Sequence, residues 1–119
     1  MKLAIAAAAI ALALPTLALA DTQAWTIKSD IAGIQFTLKC TLDIADGKLS
    51  GPCVSSMDNK PVQTTGTYTD TTDEFGYDTE YQGSPIHVTY KGQTQSDGTV
   101  KGTMEAGGAE GTFTGAPTQ

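Results

Sequence analysis

Residues 34–44 read Ile-Gln-Phe-Thr-Leu-Lys-Cys-Thr-Leu-Asp-Ile. Apolar side chains stand at every even position of this segment, and polar side chains stand at every odd one. Successive side chains of a β-strand point to opposite faces, so this pattern is typical of a strand that is buried on one face. The segment therefore predicts a long strand with Leu38 in the core and Lys39 in solvent.

The two cysteines lie at equal distances from a predicted hairpin turn. Asp46-Gly47 is a strong two-residue turn signal, and a hairpin centred on it places Cys40 directly opposite Cys53. The alternation along the hairpin makes this a non-hydrogen-bonded pair, where Cα atoms approach to about 4.5 Å and a disulfide can form. We therefore predict a Cys40–Cys53 disulfide. Pro52 offers no N–H to the ladder, which predicts a bulge or a frayed ladder beside it.

The same alternation recurs more weakly along the rest of the chain. Residues 29–33 are predicted to turn the chain from a first strand, which contains Trp25, into the strand at 34–44. Met57 is expected on the same inward face as the core. In the later predicted strands, the residues that face inward begin at Val62, Phe75, Ile86, Val100 and Gly111.

The register of the hairpin around residues 96–98 follows from its apolar residues. A three-residue loop at residues 96–98, Ser-Asp-Gly, pairs Tyr90 with Met104 and keeps the apolar side chains on one face. A two-residue turn would place Met104 on the opposite face. The sequence therefore predicts the three-residue loop.

Eight short strands joined by tight turns predict an all-β fold. We expect an up-and-down antiparallel eight-stranded barrel, because sequential hairpins favour this topology and closure removes the exposed sheet edges. A two-sheet β-sandwich is the alternative. Strand glycines mark bends and close approach of backbones, as a tightly coiled barrel requires. The inward glycines are Gly66, Gly92, Gly102, Gly111 and Gly115.

Three glycine-rich segments resemble the repeated hairpins of small exported barrels. They read Asp-Gly-Lys-Leu-Ser-Gly at 46–51, Asp-Gly-Thr-Val-Lys-Gly-Thr-Met at 97–104 and Gly-Ala-Glu-Gly-Thr-Phe-Thr-Gly at 108–115. The chain thus resembles the calycin-like class, to which avidins and lipocalins belong, and the resemblance implies the fold. It departs from an avidin-like biotin pocket, because it has one Trp and no Gly-x-Trp motif near its start. The resemblance therefore does not imply biotin binding.

The first 20 residues have the features of a secretory signal peptide. Lys2 precedes an apolar run, Pro15 follows it, and Ala18-Leu19-Ala20 supplies a small-residue cleavage site. We therefore predict a signal peptide at 1–20, a single β-barrel domain at 21–119, and a periplasmic or secreted protein. An uncleaved anchor is the alternative, although the apolar run is shorter than the about 20 residues of a spanning helix.

The charge of the chain argues against several classes of partner. Thirteen Asp and Glu residues outnumber seven Lys and Arg residues, for a formal net charge of −6. Such a chain repels phosphate backbones and anionic headgroups, so we expect no nucleic-acid partner and no binding to membrane surfaces. No second apolar segment is long enough to span a membrane after signal cleavage.

The sequence contains no catalytic or metal-binding motif. His87 is the single histidine, and alternation places it on the polar face without a nucleophile elbow elsewhere in the chain. Five carboxylates lie within residues 70–80, but Phe75 stands where an EF-hand loop needs glycine, so a solvated acidic strand is the better interpretation. We predict no enzyme activity, no metal and no cofactor.

Six aromatic side chains are predicted to face the barrel interior, and they allow two interpretations. They can fill the core, or they can line a pocket for a small apolar or aromatic ligand. Tyrosine hydroxyls would then orient the ligand, since buried hydroxyls need partners. Phe75 is one of the six. The other five are also the candidate ligand-binding residues, namely Trp25, Tyr68, Tyr77, Tyr81 and Tyr90.

These expectations lead to one main functional hypothesis and two alternatives. The main hypothesis is an exported, non-enzymatic binding protein that holds a small apolar or aromatic ligand inside the barrel. The first alternative is a proteinaceous inhibitor of an exported hydrolase. The second is an envelope-associated structural protein without a pocket.

Overall fold

The computed structural model describes residues 21–118. The predicted signal peptide at 1–20 and the last residue, Gln119, lie outside the described residues. Within the described part, no helix is long and apolar enough to cross a membrane. The strands are β1 Asp21–Ile31, β2 Ile34–Ala45, β3 Lys48–Ser55, β4 Pro61–Tyr68, β5 Thr72–Tyr81, β6 Ser84–Thr94, β7 Val100–Ala106 and β8 Ala109–Pro117.

The eight strands form one closed antiparallel barrel in sequence order. Each strand pairs with the next, and β1 pairs with β8 so that Ile27 lies opposite Gly115. Closure gives each of these eight strands a hydrogen-bonded neighbour on both sides, although β4 and β5 pair only over residues 65–68 and 73–76. The pairing leaves little exposed edge for edge-to-edge association. The predicted barrel is thus confirmed against the two-sheet sandwich, and it is consistent with a calycin-like fold.

Four two-residue turns have both residues in the left-handed region. They are Ala32-Gly33, Asp46-Gly47, Gln82-Gly83 and Gly107-Gly108, with φ between 52° and 88°. Two positive φ values are what a type I′ turn requires, and its twist matches that of the flanking strands. The first turn is shorter than the predicted one at 29–33, because β1 continues to Ile31.

The β2–β3 hairpin has the predicted register and disulfide. Cys40 lies opposite Cys53 and is bonded to it, with the Cα atoms 4.0 Å apart. The paired positions are interrupted opposite Gly51 and Pro52, and the register is the same on both sides of the gap. The ladder is therefore frayed rather than bulged. A Cβ on Gly51 would collide with the carbonyl oxygen of Thr41, which explains a glycine beside the proline.

The β6–β7 hairpin also has the predicted loop. Tyr90 lies opposite Met104, and Thr94 lies opposite Val100. Gln95 and Thr99 close the loop through a backbone hydrogen bond of 2.7 Å, and Gly98 has a φ of 87°.

The core fills the middle of the barrel with apolar side chains from seven strands, and β4 contributes the buried Thr64. Leu38 on β2 is completely buried, as predicted, whereas Lys39 is exposed. Met57 lies in the loop after β3 and is exposed, so its predicted place on the inward face was wrong: β3 ends at Ser55. The buried apolar residues are Ile27, Ile31, Leu38, Cys40, Leu42, Leu49, Cys53, Tyr77, Val88, Tyr90, Val100, Met104 and Phe113.

Candidate functional sites at the two ends of the barrel

A cluster of three aromatic rings lies across the barrel interior. The rings of Phe75 and Tyr90 are stacked with centroids 4.7 Å apart, and Phe113 meets Tyr90 edge-on at 5.0 Å. Offset-stacked and edge-to-face contacts are favourable arrangements for aromatic rings. Tyr90 is only 1% exposed. The cluster lies between two cavities, one at each end of the barrel, which share no lining residue.

The first cavity lies at the end that carries the β1–β2, β3–β4, β5–β6 and β7–β8 connections. Its volume is about 510 Å³. Three of its lining side chains are large and apolar or aromatic and yet exposed, namely Ile34 (37%), Met57 (50%) and Tyr81 (40%). They surround its mouth, and apolar groups left open to water in this way often mark a binding site. The apolar wall deeper inside includes Ile31, Phe36, Val62, Ile86, Val88, Met104 and Ala106.

A short chain of hydroxyl groups runs from the first cavity into the core. Tyr77 lines the cavity, and its hydroxyl oxygen lies 3.4 Å from that of Tyr90, which lies 3.1 Å from Oγ of Ser29. Burial raises the pKa of Tyr77, and the neighbouring Tyr90 raises it further. Burial also raises the pKa of Tyr90, although its hydrogen bonds with Ser29 and Tyr77 act in the opposite direction. Both phenols therefore stay neutral at physiological pH and can donate or accept a hydrogen bond.

The second cavity lies at the opposite end, beside the β2–β3, β4–β5 and β6–β7 connections. Its volume is about 290 Å³. Trp25, Tyr68 and Phe75 supply aromatic walls, and Nε1 of Trp25 donates a 2.9 Å hydrogen bond to Oε1 of Gln23. Asp73 contributes a carboxylate to the lining, and it accepts a 3.1 Å hydrogen bond from Oγ1 of Thr94. Burial raises the pKa of Asp73, with the Thr94 bond acting against the shift.

The structure distributes the five predicted ligand-binding residues over both ends of the barrel. Tyr77 and Tyr81 line the first cavity, whereas Trp25 and Tyr68 line the second. Tyr90 lies between the two cavities and lines neither of them. Its hydroxyl is bonded to Tyr77 of the first cavity, and its ring is stacked on Phe75 of the second. The side chains face the interior as predicted, but they do not surround one common space.

Sequence reasoning missed two polar side chains that face the interior. Ser29 was assigned to a turn, but it lies within β1 between the buried Ile27 and Ile31. Asp73 is one of the five carboxylates predicted to be solvated, but it lies within β5, two residues before Phe75, and is half-buried on the same face. The period-2 pattern contained both signals, because Ser29 is in phase with Trp25 and Asp73 is in phase with Phe75 and Tyr77.

His87 and Asp78 form a hydrogen-bonded pair on the outer surface. Nδ1 of His87 lies 2.6 Å from Oδ1 of Asp78, across the β5–β6 pairing. The side chains are 61% and 87% exposed, so the pair stands in water rather than in either cavity. Among residues 21–118, no group of three or more His, Cys, Asp and Glu side chains is placed to hold a metal ion.

Comparison of the chain with protein-family models, curated proteins and solved structures finds no match. The two cavities are therefore the features from which a function can be inferred.

Proposed function

We propose that the protein is an exported, non-enzymatic binding protein that holds a small apolar or aromatic ligand in the first cavity. The observation that carries this proposal is the apolar cavity of about 510 Å³ with its exposed apolar mouth. Ligand sites in proteins usually measure about 300–1,000 Å³ and combine apolar walls with a few polar groups. The first cavity matches both criteria.

The Tyr77 hydroxyl is the group best placed to orient such a ligand. It lies on the cavity wall and is bonded to Tyr90, which is bonded in turn to Ser29. The direction of the hydrogen bonds in this chain is reversible, so Tyr77 can offer a ligand either a proton or a lone pair. We therefore expect a ligand with an apolar body and a single polar atom.

The single histidine does not offer a catalytic group to a ligand in either cavity. General acid–base catalysis requires a titratable group within hydrogen-bonding reach of a bound substrate. The exposed His87–Asp78 pair lies on the outer wall of the barrel, away from the lining of both cavities. The alternative proposal is that the protein inhibits an exported hydrolase, which would then be its partner.

Export to the periplasm or to the outside of the cell belongs to the same proposal. Cys40 and Cys53 are buried and bonded, and a disulfide of this kind is compatible with an oxidising compartment. The closed eight-stranded barrel also supports placing the chain with calycin-like proteins.

A neutral apolar fluorophore, N-phenyl-1-naphthylamine, tests the proposal directly. Its emission should rise when it enters the first cavity of the purified protein. Ala106→Phe adds a ring to the wall of this cavity on β7 and narrows it. Ala116→Phe is the control: it is the same substitution on β8, at a position that alternation with the buried Gly115 places on the outer wall. We expect at least a tenfold weaker affinity for Ala106→Phe and no change for Ala116→Phe. Absence of an emission change in the wild type, or equal affinities for the two variants, would overturn the proposal.

A further inference from the structure

We propose that the second cavity is a separate site for a small organic ammonium ion with an apolar or aromatic body. This site lies at the opposite end of the barrel from the first cavity, and it does not depend on the function proposed there. Its volume of about 290 Å³ suits a small molecule of this kind. Three features of the lining support the proposal: an inward carboxylate, aromatic walls and the sign of the local charge.

The inward carboxylate belongs to Asp73. Its neighbours Thr72 and Glu74 are exposed, whereas Asp73 is half-buried and lies in phase with Phe75. An acidic side chain on the inner face of a barrel loses hydration, which is costly unless a partner compensates for it. Thr94 compensates in part, through its hydrogen bond to Oδ2. The other oxygen, Oδ1, is the atom that an ammonium N–H would meet.

The walls beside this carboxylate are aromatic. Trp25, Tyr68 and Phe75 line the same cavity, and the bond from Trp25 to Gln23 holds the indole in place. Aromatic faces attract a cation within about 6 Å of the ring centroid, most strongly for Trp. The apolar Ile44 and Leu49 complete the wall and favour the carbon skeleton of the ligand.

The charge around the cavity favours a cation. Asp70 joins Asp73 in the lining, and among the described residues no Lys side chain lines this cavity. The whole chain carries a net charge of −6, which attracts cations from solution. The first cavity differs, because its carboxylates, Asp58 and Glu80, are exposed at the rim rather than half-buried inside.

A metal ion fits the second cavity less well than an organic cation. A divalent ion such as calcium needs six to eight oxygen ligands that converge on it. Within residues 21–118, no cluster of three or more metal-ligating side chains occurs. One half-buried carboxylate among aromatic rings is instead suited to a monovalent cation with an apolar surface.

The single Trp of the chain reports on this site, since Trp25 lines it. Phenethylammonium is the probe, and the neutral 2-phenylethanol, which has the same carbon skeleton, is its matched control. We expect phenethylammonium to change the emission of Trp25 and to bind at least tenfold more tightly than the alcohol. No response of Trp25, or equal affinities for the two compounds, would overturn the proposal.

Two variants with the same change of charge locate the interaction. Asp73→Asn removes the inward carboxylate, and Glu74→Gln removes its exposed neighbour on the outer face. We expect Asp73→Asn to weaken phenethylammonium binding at least tenfold and Glu74→Gln to weaken it less than twofold. Equal effects would mean that the cation is attracted only by the overall charge, and the site would be rejected.

A third variant keeps the proposal testable if Asp73→Asn does not fold. Gln23→Lys adds a cation to the lining of the second cavity, and calorimetry should then show at least tenfold weaker phenethylammonium binding. Unchanged affinity would overturn the proposal.

The two sites are distinguished by cross-measurement: Ala106→Phe should leave phenethylammonium binding unchanged, and Asp73→Asn should leave N-phenyl-1-naphthylamine binding unchanged. An effect of Ala106→Phe on the ammonium alone would place its site in the first cavity and overturn this inference.

Discussion

The ring of Phe75 lies flat against the ring of Tyr90, with centroids 4.7 Å apart and planes within 7° of parallel. Phe75 forms part of the wall of the second cavity, and the Tyr90 hydroxyl is bonded to Tyr77 on the wall of the first. One stacked pair therefore supports both cavities. It also separates their chemistry, because the carboxylate lies on one side and the chain of hydroxyls on the other.

Tyr90→Phe should reduce the free energy of unfolding by about 1–3 kcal/mol. The substitution keeps the stacked ring but removes the hydroxyl that bonds Ser29 and Tyr77, and a buried polar group without its partner costs about this much. Urea denaturation measures the loss. Tyr81→Phe is the control: its side chain is 40% exposed, so the expected change is below about 0.5 kcal/mol. Equal losses would show that the buried hydroxyl chain does not stabilise the barrel.

Leu38→Ala should cost roughly 2–5 kcal/mol, whereas Lys39→Ala should change stability by less than about 0.5 kcal/mol. The two residues are adjacent on β2, but Leu38 is fully buried and Lys39 is exposed. Denaturation of both variants under the same conditions compares the two faces of the strand. Similar losses for the two would contradict the assignment of the inner face.

Loss of the disulfide should destabilise the protein by about 3 kcal/mol in the chain-entropy model. The bond closes a short loop, since Cys53 follows Cys40 at a sequence separation of 13. A reducing agent should lower the denaturation midpoint of the wild type and leave that of a Cys40→Ala/Cys53→Ala variant unchanged. Mass spectrometry of the unreduced protein provides the direct check, and two free thiols would disprove the bond.

Tyr77→Phe should make the protein more resistant to alkali. The pKa of Tyr77 is raised above its ordinary value of 10.0 in the folded state, so above pH 10 the unfolded chain loses the proton first. The folded state then binds more protons than the unfolded one, and stability falls as the pH rises. Phenylalanine has no proton to lose. Denaturation between pH 9 and about 12 should therefore show a smaller decline for the variant, and parallel declines would contradict the expected linkage.

The register of two hairpins could be predicted from sequence because their turns are chemically specific. Asp46-Gly47 selects a two-residue turn, and the pairing of Cys40 with Cys53 follows from it. At residues 96–98, the apolar residues on both strands excluded the alternative loop. In both cases local turn chemistry and the alternation of the strands agreed, which is the condition under which such reasoning succeeds.

The division of the aromatic side chains between two cavities could not be predicted in the same way. Alternation determines which face of the sheet a side chain occupies, but not its height along the barrel axis. That height depends on the stagger between all eight strands, which only the closed barrel defines. Alternation therefore predicts Tyr68 and Tyr77 in one pocket, whereas they line cavities at opposite ends of the barrel. Ser29 was missed for a different reason, because a Ser-Asp pair before Ala-Gly is typical of a turn.

The pairing of β1 with β8 has a consequence for how the protein reaches its folded state during synthesis. Seven of the eight pairings join neighbours in sequence, but Ile27 finds its partner Gly115 only when the chain has emerged as far as β8. Until then, β1 and the most recently formed strand both present unpaired backbone groups to other nascent chains. A chain that ends before Ala109 would lack β8 and could not close the barrel. Its first strand and its last strand would then both be open edges, which can pair with further copies. The last hairpin protects the protein against aggregation as well as completing its core.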